Sequence, residues 1–129
     1  MNLDSVFGIH EKALDIRSKR TEILASNMAN SDTPGYKARD IDFKSVFSNA
    51  MNDNGERLVT TNGAHITDNQ TILESEVKYR VPLQTKADGN TVDNQVENAK
   101  FAENSMRYIA SIKFLDMNIK NLMLSLRGE

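Results

Sequence analysis

The chain has 129 residues, no cysteine and no tryptophan, and its 16 basic and 18 acidic residues leave a net charge of -2. Charge dispersed along the sequence in that balance argues against the clustered positive footprint that nucleic acid or an anionic membrane surface requires. With 39% apolar and 6% aromatic residues, the chain has little mass to wrap around a catalytic pocket, and it points to an elongated helical protein or a subunit that completes its core with neighbours.

The N-terminus "MNLDSVFGIHEKALD" lacks the basic start and apolar run of a secretory signal. No stretch approaches the ~18 apolar residues of a membrane span. From Asp4 to Asn30, two neighbouring rows repeat at spacings of four and three. One runs through Leu3, Phe7, His10, Leu14, Arg17, Thr21, Leu24 and Met28; the other, more strongly apolar, runs through Ile9, Ala13, Ile16, Arg20, Ile23, Asn27 and Asn30. Together they predict a helix with a broad apolar face. Thr33 precedes Pro34 and is pushed out of the α region, so the helix must stop before it. Pro34 and Gly35 fit positions i+1 and i+2 of a type II turn. Asn27 and Asn30 continue the apolar face and need hydrogen-bond partners, either in the turn or on a facing helix.

The middle of the chain, 36–93, is different material. Phe43, Val46, Phe47, Ala50 and Met51 share one face of a short predicted helix. Asn62-Gly63 predicts a hairpin turn that sets Val59 opposite Ile66. "VKYRVPLQ" alternates Val77, Tyr79, Val81 and Leu83, with Pro82 restricting it to an edge strand. Asp88-Gly89-Asn90 predicts a turn into the last helix.

From Asn94 to Arg127 the four-three spacing is unbroken through Phe101, Ser105, Tyr108, Ile112, Leu115, Ile119, Leu122 and Leu126. Asn94 with Glu97 resembles a capping box, and Gly128 suits the helix end. The economical arrangement is a mainly α fold: two long terminal helices packed as a coiled-coil-like pair, with a small extended, hairpin-containing region looped out between them. Two helices cannot cover both wide faces, so like subunits are expected to bury the remainder.

Catalytic signals are weak. No phosphate loop, nucleophile elbow or HExxH motif occurs. Asp40 and Asp42 would share one side of an extended segment and, with His65, sketch a metal-dependent hydrolase. A soluble helical adaptor or chaperone that binds a partner's helix is the other alternative.

"LASNMANSDTPGYKARDIDF" closely resembles the N-terminal signature of the flagellar basal-body rod protein family. Its pattern of Asn-Ile-Ala-Asn followed by Thr-Pro-Gly-Tyr-Lys is met by Asn27, Ala29, Asn30, Thr33, Pro34, Gly35, Tyr36 and Lys37, with Met28 in place of isoleucine. "YRVP" and "DGNTVDNQVENAKFAENSMRYIASIKFL" resemble the C-terminal region of the proximal, B-type branch of that family.

The resemblance implies a non-enzymatic rod subunit that acts without cofactor, metal, nucleic acid or small-molecule substrate. It implies passage through flagellar type III export and residence in the periplasmic rod of the basal body. It also implies contacts with other rod subunits, with the adaptor protein at the rod base, and with the export gate. Residues 1–35 and 94–129 would then form one inner helical domain, joined at Asn27, Asn30, Thr33, Pro34, Gly35 and Tyr36. Assembly contacts are expected along Ile9, Ile16, Ile23, Tyr108, Ile112, Leu115, Ile119, Leu122 and Leu126. Phe43 and Phe47 have the Phe-x-x-x-apolar form of an export-gate recognition motif.

Overall fold

The computed structural model describes residues 3–52 and 77–128. The two periodic ends form helices α1 (Leu3–Ala29) and α3 (Asn94–Arg127). Between them come strand β1 (Arg39–Ile41), helix α2 (Phe43–Asn52) and strand β2 (Val77–Tyr79). The hairpin expected around Asn62-Gly63, with Val59, His65 and Ile66, lies outside the described residues.

Polar contacts between α1 and α3 give their direction. Asn27 bonds Glu97, Asn104 bonds Arg17 and Thr21, and Asn118 approaches His10. As the number falls on α1 it rises on α3, so the helices are antiparallel. Among the described residues they form the most extensive contact between two elements.

On α3 the side chains turned toward α1 are Glu97, Phe101, Asn104, Tyr108, Ser111, Leu115, Asn118 and Leu122. Their spacing is that of a heptad seam, with one column polar and one apolar. The expected seam was half of this one. Tyr108, Leu115 and Leu122 face α1, whereas Ile112, Ile119 and Leu126 flank the seam and are exposed, Leu126 by 80%.

A second layer covers α1. Ile16, Ile23, Ile41 and Val46 form a buried cluster, against which Phe43, Phe47 and Val77 pack. Each fully buried aliphatic side chain contributes roughly 1.5–3 kcal/mol. Ile16 and Ile23 were expected on an assembly surface, but they are 1% and 7% exposed and belong to the subunit's own core. Ile9, nearer the open end of α1, is 38% exposed. The expected apolar face of α2 is the face that packs: Val46 is buried, and Phe43 and Phe47 stack with ring centroids 5.4 Å apart.

The two strands pair antiparallel, Arg39 with Tyr79, Asp40 with Lys78 and Ile41 with Val77. The expected alternation through Leu83 stops early. Arg80 still donates its backbone N–H to Ala38 (2.9 Å), but Val81 and Leu83 are each 87% exposed. β1 has no residue left to pair with them, and Pro82 has no N–H to offer.

The start of α3 also differs by one residue. Asp93 is the N-cap, its carboxylate accepting from the backbone N–H groups of Gln95 and Val96. Asn94 is already helical, and Glu97 turns inward instead of back to the cap. Gly128 ends the helix in the left-handed region, as expected (φ 73°).

Candidate functional site

The stop of α1 is a built junction. Thr33 to Tyr36 close a turn through the Tyr36 N–H and the Thr33 carbonyl (3.3 Å), with Gly35 at φ 71°. That is the type II geometry its Pro-Gly pair predicts. A second turn docks onto it. Gly35 donates to the Asp88 carbonyl (2.9 Å), and Thr91 donates to the Tyr36 carbonyl (3.0 Å). Gly89 also has positive φ, and a Cβ on it would lie only 3.7 Å from the Gly35 Cα. The two stretches that carry the family resemblance, more than fifty residues apart, are therefore the two halves of one structure.

Three asparagines hold it. Asn27 is fully buried, and all four of its hydrogen-bonding sites are used. Its Nδ2 donates to the Arg39 carbonyl (2.7 Å) and Glu97 Oε2 (3.0 Å). Its Oδ1 accepts from the Arg39 N–H (3.1 Å) and the Tyr36 hydroxyl (3.3 Å). Asn30 donates to the Ser26 carbonyl near the helix end and accepts from Thr33 Oγ1.

Asn90, also fully buried, sends its Nδ2 to the carbonyls of Asn30, Ser31 and Thr33. Its Oδ1 accepts from the Val92 N–H. It satisfies carbonyls that the end of α1 leaves without partners. Sequence reasoning took Asn90 only for a turn residue; its signal was a third asparagine beside the Gly of a second turn.

Beside the junction lies an ion cluster. Arg20 grips Asp40 with two bonds, Nε to Oδ1 at 2.8 Å and Nη2 to Oδ2 at 3.1 Å. Arg80 bridges Asp40 (2.9 Å) and the fully buried Glu97, while Lys100 approaches Asp40 at 3.5 Å. Burial opposes the charge on Asp40, but the Arg20 fork, the Ile41 N–H and Arg80 outweigh it. Its carboxyl is held at about 2 against an ordinary 3.8. The same bond to Asp40 raises Arg20.

This cluster overturns the expected pairing of Asp40 with Asp42. Asp42 has left the strand, and its carboxylate accepts from the backbone N–H groups of Lys44 and Ser45 at the start of α2. One aspartate is consumed by cations and the other caps a helix. Among the described residues, no group of three His, Asp or Glu side chains could hold a metal ion.

Away from the junction, α3 carries nine exposed large apolar side chains between Met106 and Leu126. Ile112, Ile119 and Leu126 flank the seam, and Met106, Met117 and Leu124 lie on its far side. No helix of the described residues is long and apolar enough to cross a membrane.

Comparison with known proteins converges on one family. A family described as "Flagella basal body rod protein" matches residues 7–37. A protein of Aeromonas hydrophila named "Flagellar basal body rod protein FlgB" is 45% identical, covering 100% of this chain and 98% of its own length. The proteins of the same name from Salmonella typhimurium and Escherichia coli K12 are 40% and 41% identical. They cover 98% and 94% of this chain, and 96% and 92% of their own lengths.

Proposed function

The chain belongs to the FlgB family of flagellar basal body rod proteins, and from that premise we propose how it enters the rod as a structural subunit. The apolar flank and back of α3 are its assembly surface. The observation that carries this reading is where the apolar residues sit: α3 turns a column of Glu97, Asn104, Ser111 and Asn118 inward and leaves Ile112, Ile119 and Leu126 outside. That inversion disfavours a solitary helix pair and suits a helix buried on several sides by neighbours. Ile9 belongs to the same surface, at the open end of α1. Tyr108, Leu115 and Leu122 contribute by holding α3 against α1. The junction of Asn27, Asn30, Thr33, Pro34, Gly35 and Tyr36 fixes the angle at which the helix pair meets the rest of the subunit.

The partners are other rod subunits and, for a subunit of the proximal rod, the adaptor protein at the rod base. Phe43 and Phe47 serve as the contact with the type III export gate. In the folded subunit both rings pack against its own core, so the gate meets them before α2 has docked. One apolar pair then acts twice, first in transit and later in packing.

Replacing Ile112 and Ile119 together by Asp tests the assembly surface. The expected result is a chain that is exported and helical but absent from purified basal bodies. Undiminished incorporation overturns the assignment.

A further inference from the structure

A cavity of about 500 Å³ opens between α1, the start of α2, the β1–β2 pair and α3. Seven of the thirteen described side chains that line it are Arg or Lys and three are Asp or Glu. Much of that charge is answered locally: Arg20, Arg80 and Lys100 share Asp40, Arg80 also pairs with Glu97, Arg107 pairs with Glu103, and Lys78 is engaged in an interaction of its own.

Arg17 is different. It is nine-tenths buried, stacks 4.1 Å over the Phe43 ring, and forms no ion pair among the described residues. Its Nε has no hydrogen-bond partner. Burial, then Arg107 and Arg20, lower its affinity for its proton, and Glu103 offsets them only in part. A buried cation with two cations and a single carboxylate around it has room for a further anion.

The same chain presents the complement. Glu11, Asp15, Ser18 and Glu22 form an exposed row along α1; Glu22 already pairs with Lys19 (3.1 Å), so Glu11 and Asp15 carry the row's negative charge. Glu11 and Asp15 are four residues apart, a like-charge spacing that costs an isolated helix a few tenths of a kcal/mol. The row lies about half a turn around α1 from the buried Ile16 and Asn27 and the half-buried Arg20, so it cannot reach the cavity of its own molecule.

We propose that the cationic cavity of one subunit receives the acidic row on α1 of a second copy of this chain. This rests on the rod reading and deepens it. The two patches differ and face apart, so the contact is head-to-tail, and such a contact propagates into a helical array instead of stopping at a dimer. The carboxylates of Glu11 and Asp15 answer the surplus charge around Arg17, and complementary charge fixes the register of the contact.

The test uses basal bodies purified from cells whose copy of this chain carries a photo-crosslinking amino acid at Tyr79, which lines the cavity and is exposed. The expected product is a dimer of this chain with the adduct within residues 8–25 of the neighbour. Its yield should fall about tenfold against a tagged copy bearing Glu11→Lys with Asp15→Lys. It should recover when the Tyr79 copy also carries Lys44→Glu with Arg107→Glu. An adduct on another stretch or another rod protein, in basal bodies that contain the chain, overturns this contact and leaves the rod role standing. Basal bodies that lack the chain altogether overturn the rod reading, and this contact with it.

Discussion

The two ends of the α1–α3 pair are finished in opposite ways. At the junction end, Asn27 uses all four of its hydrogen-bonding sites, and both Glu97 oxygens are engaged, by Asn27 and by Arg80. At the far end, His10 and Asn118 meet loosely at 3.4 Å, and Met117, Ile119, Met123 and Leu124 nearby turn outward. Buried polar atoms make one end specific without outside help, because each bond left unmade there is costly. The other end leaves its apolar surface exposed. One subunit thus combines a closed half that defines its shape with an open half that its own fold does not cover.

The largest effect expected from breaking this contrast is at the closed end. Asn27→Leu strips partners from the Arg39 N–H and carbonyl and from Glu97, each loss costing about 1–3 kcal/mol. A total of roughly 3–5 kcal/mol should appear in urea unfolding followed by circular dichroism. A cost below 1 kcal/mol would show that the junction is not the closed end described.

Acid should loosen the same end next. Asp40 is held at about 2 against an ordinary 3.8, so its folded-state pKa is depressed. Its stabilisation, about 2 kcal/mol, is fully present above the unfolded value and is lost as pH falls through the folded one. Stability measured from pH 5 to pH 2 should therefore fall, and the Asp40→Asn variant should lose that part of the slope. Parallel pH curves for the two proteins would remove Asp40 from the lock.

Gly35 gives a smaller and more diagnostic effect. A Cβ there meets nothing within 4 Å, so only the positive φ opposes a side chain. Gly35→Ala should cost about 1 kcal/mol, Gly35→Asn less, and Gly35→Val more. An unfolding series without that order would contradict the turn.

The smallest stability change belongs to the open end. Ile112→Ser and Ile119→Ser should each shift unfolding by no more than about 0.5 kcal/mol, while lowering the amount of chain recovered in purified basal bodies. A stability loss matching that of Asn27→Leu would mean that these residues pack within the subunit.

This division explains what could be read from the residues alone. The extent of both long helices, the short helix at Phe43 and the Thr33–Tyr36 turn follow from local spacing, proline and glycine, which act over a few residues. The register of α3 did not follow. Periodicity tracks the densest apolar column, and here half of that column, Ile112, Ile119 and Leu126, is exposed while Glu97, Asn104 and Asn118 point toward α1. The lock escaped for another reason. Arg20, Asp40, Arg80 and Glu97 are ordinary charged residues until folding brings them together from across the chain. Arg20 on an otherwise apolar row, and Glu97 in step with Phe101 and Tyr108, were the available signals. The one-residue error at the α3 cap arose because Asp93 and Asn94 both suit the position, and only the backbone of Asp93 stays extended (φ -109°, ψ 111°).

The pairing of Ile41 with Val77 has a consequence for how such a subunit diversifies. The chain leaves the two-stranded sheet at one of these residues and re-enters at the other, so the feet of the intervening excursion are pinned side by side. Closing a chain between pinned feet becomes only slowly dearer with length, about 0.6 kcal/mol for each doubling. The sheet therefore works as a socket. What is plugged into it can grow, shrink or be exchanged for a folded module, while the helices below keep the same packing against each other.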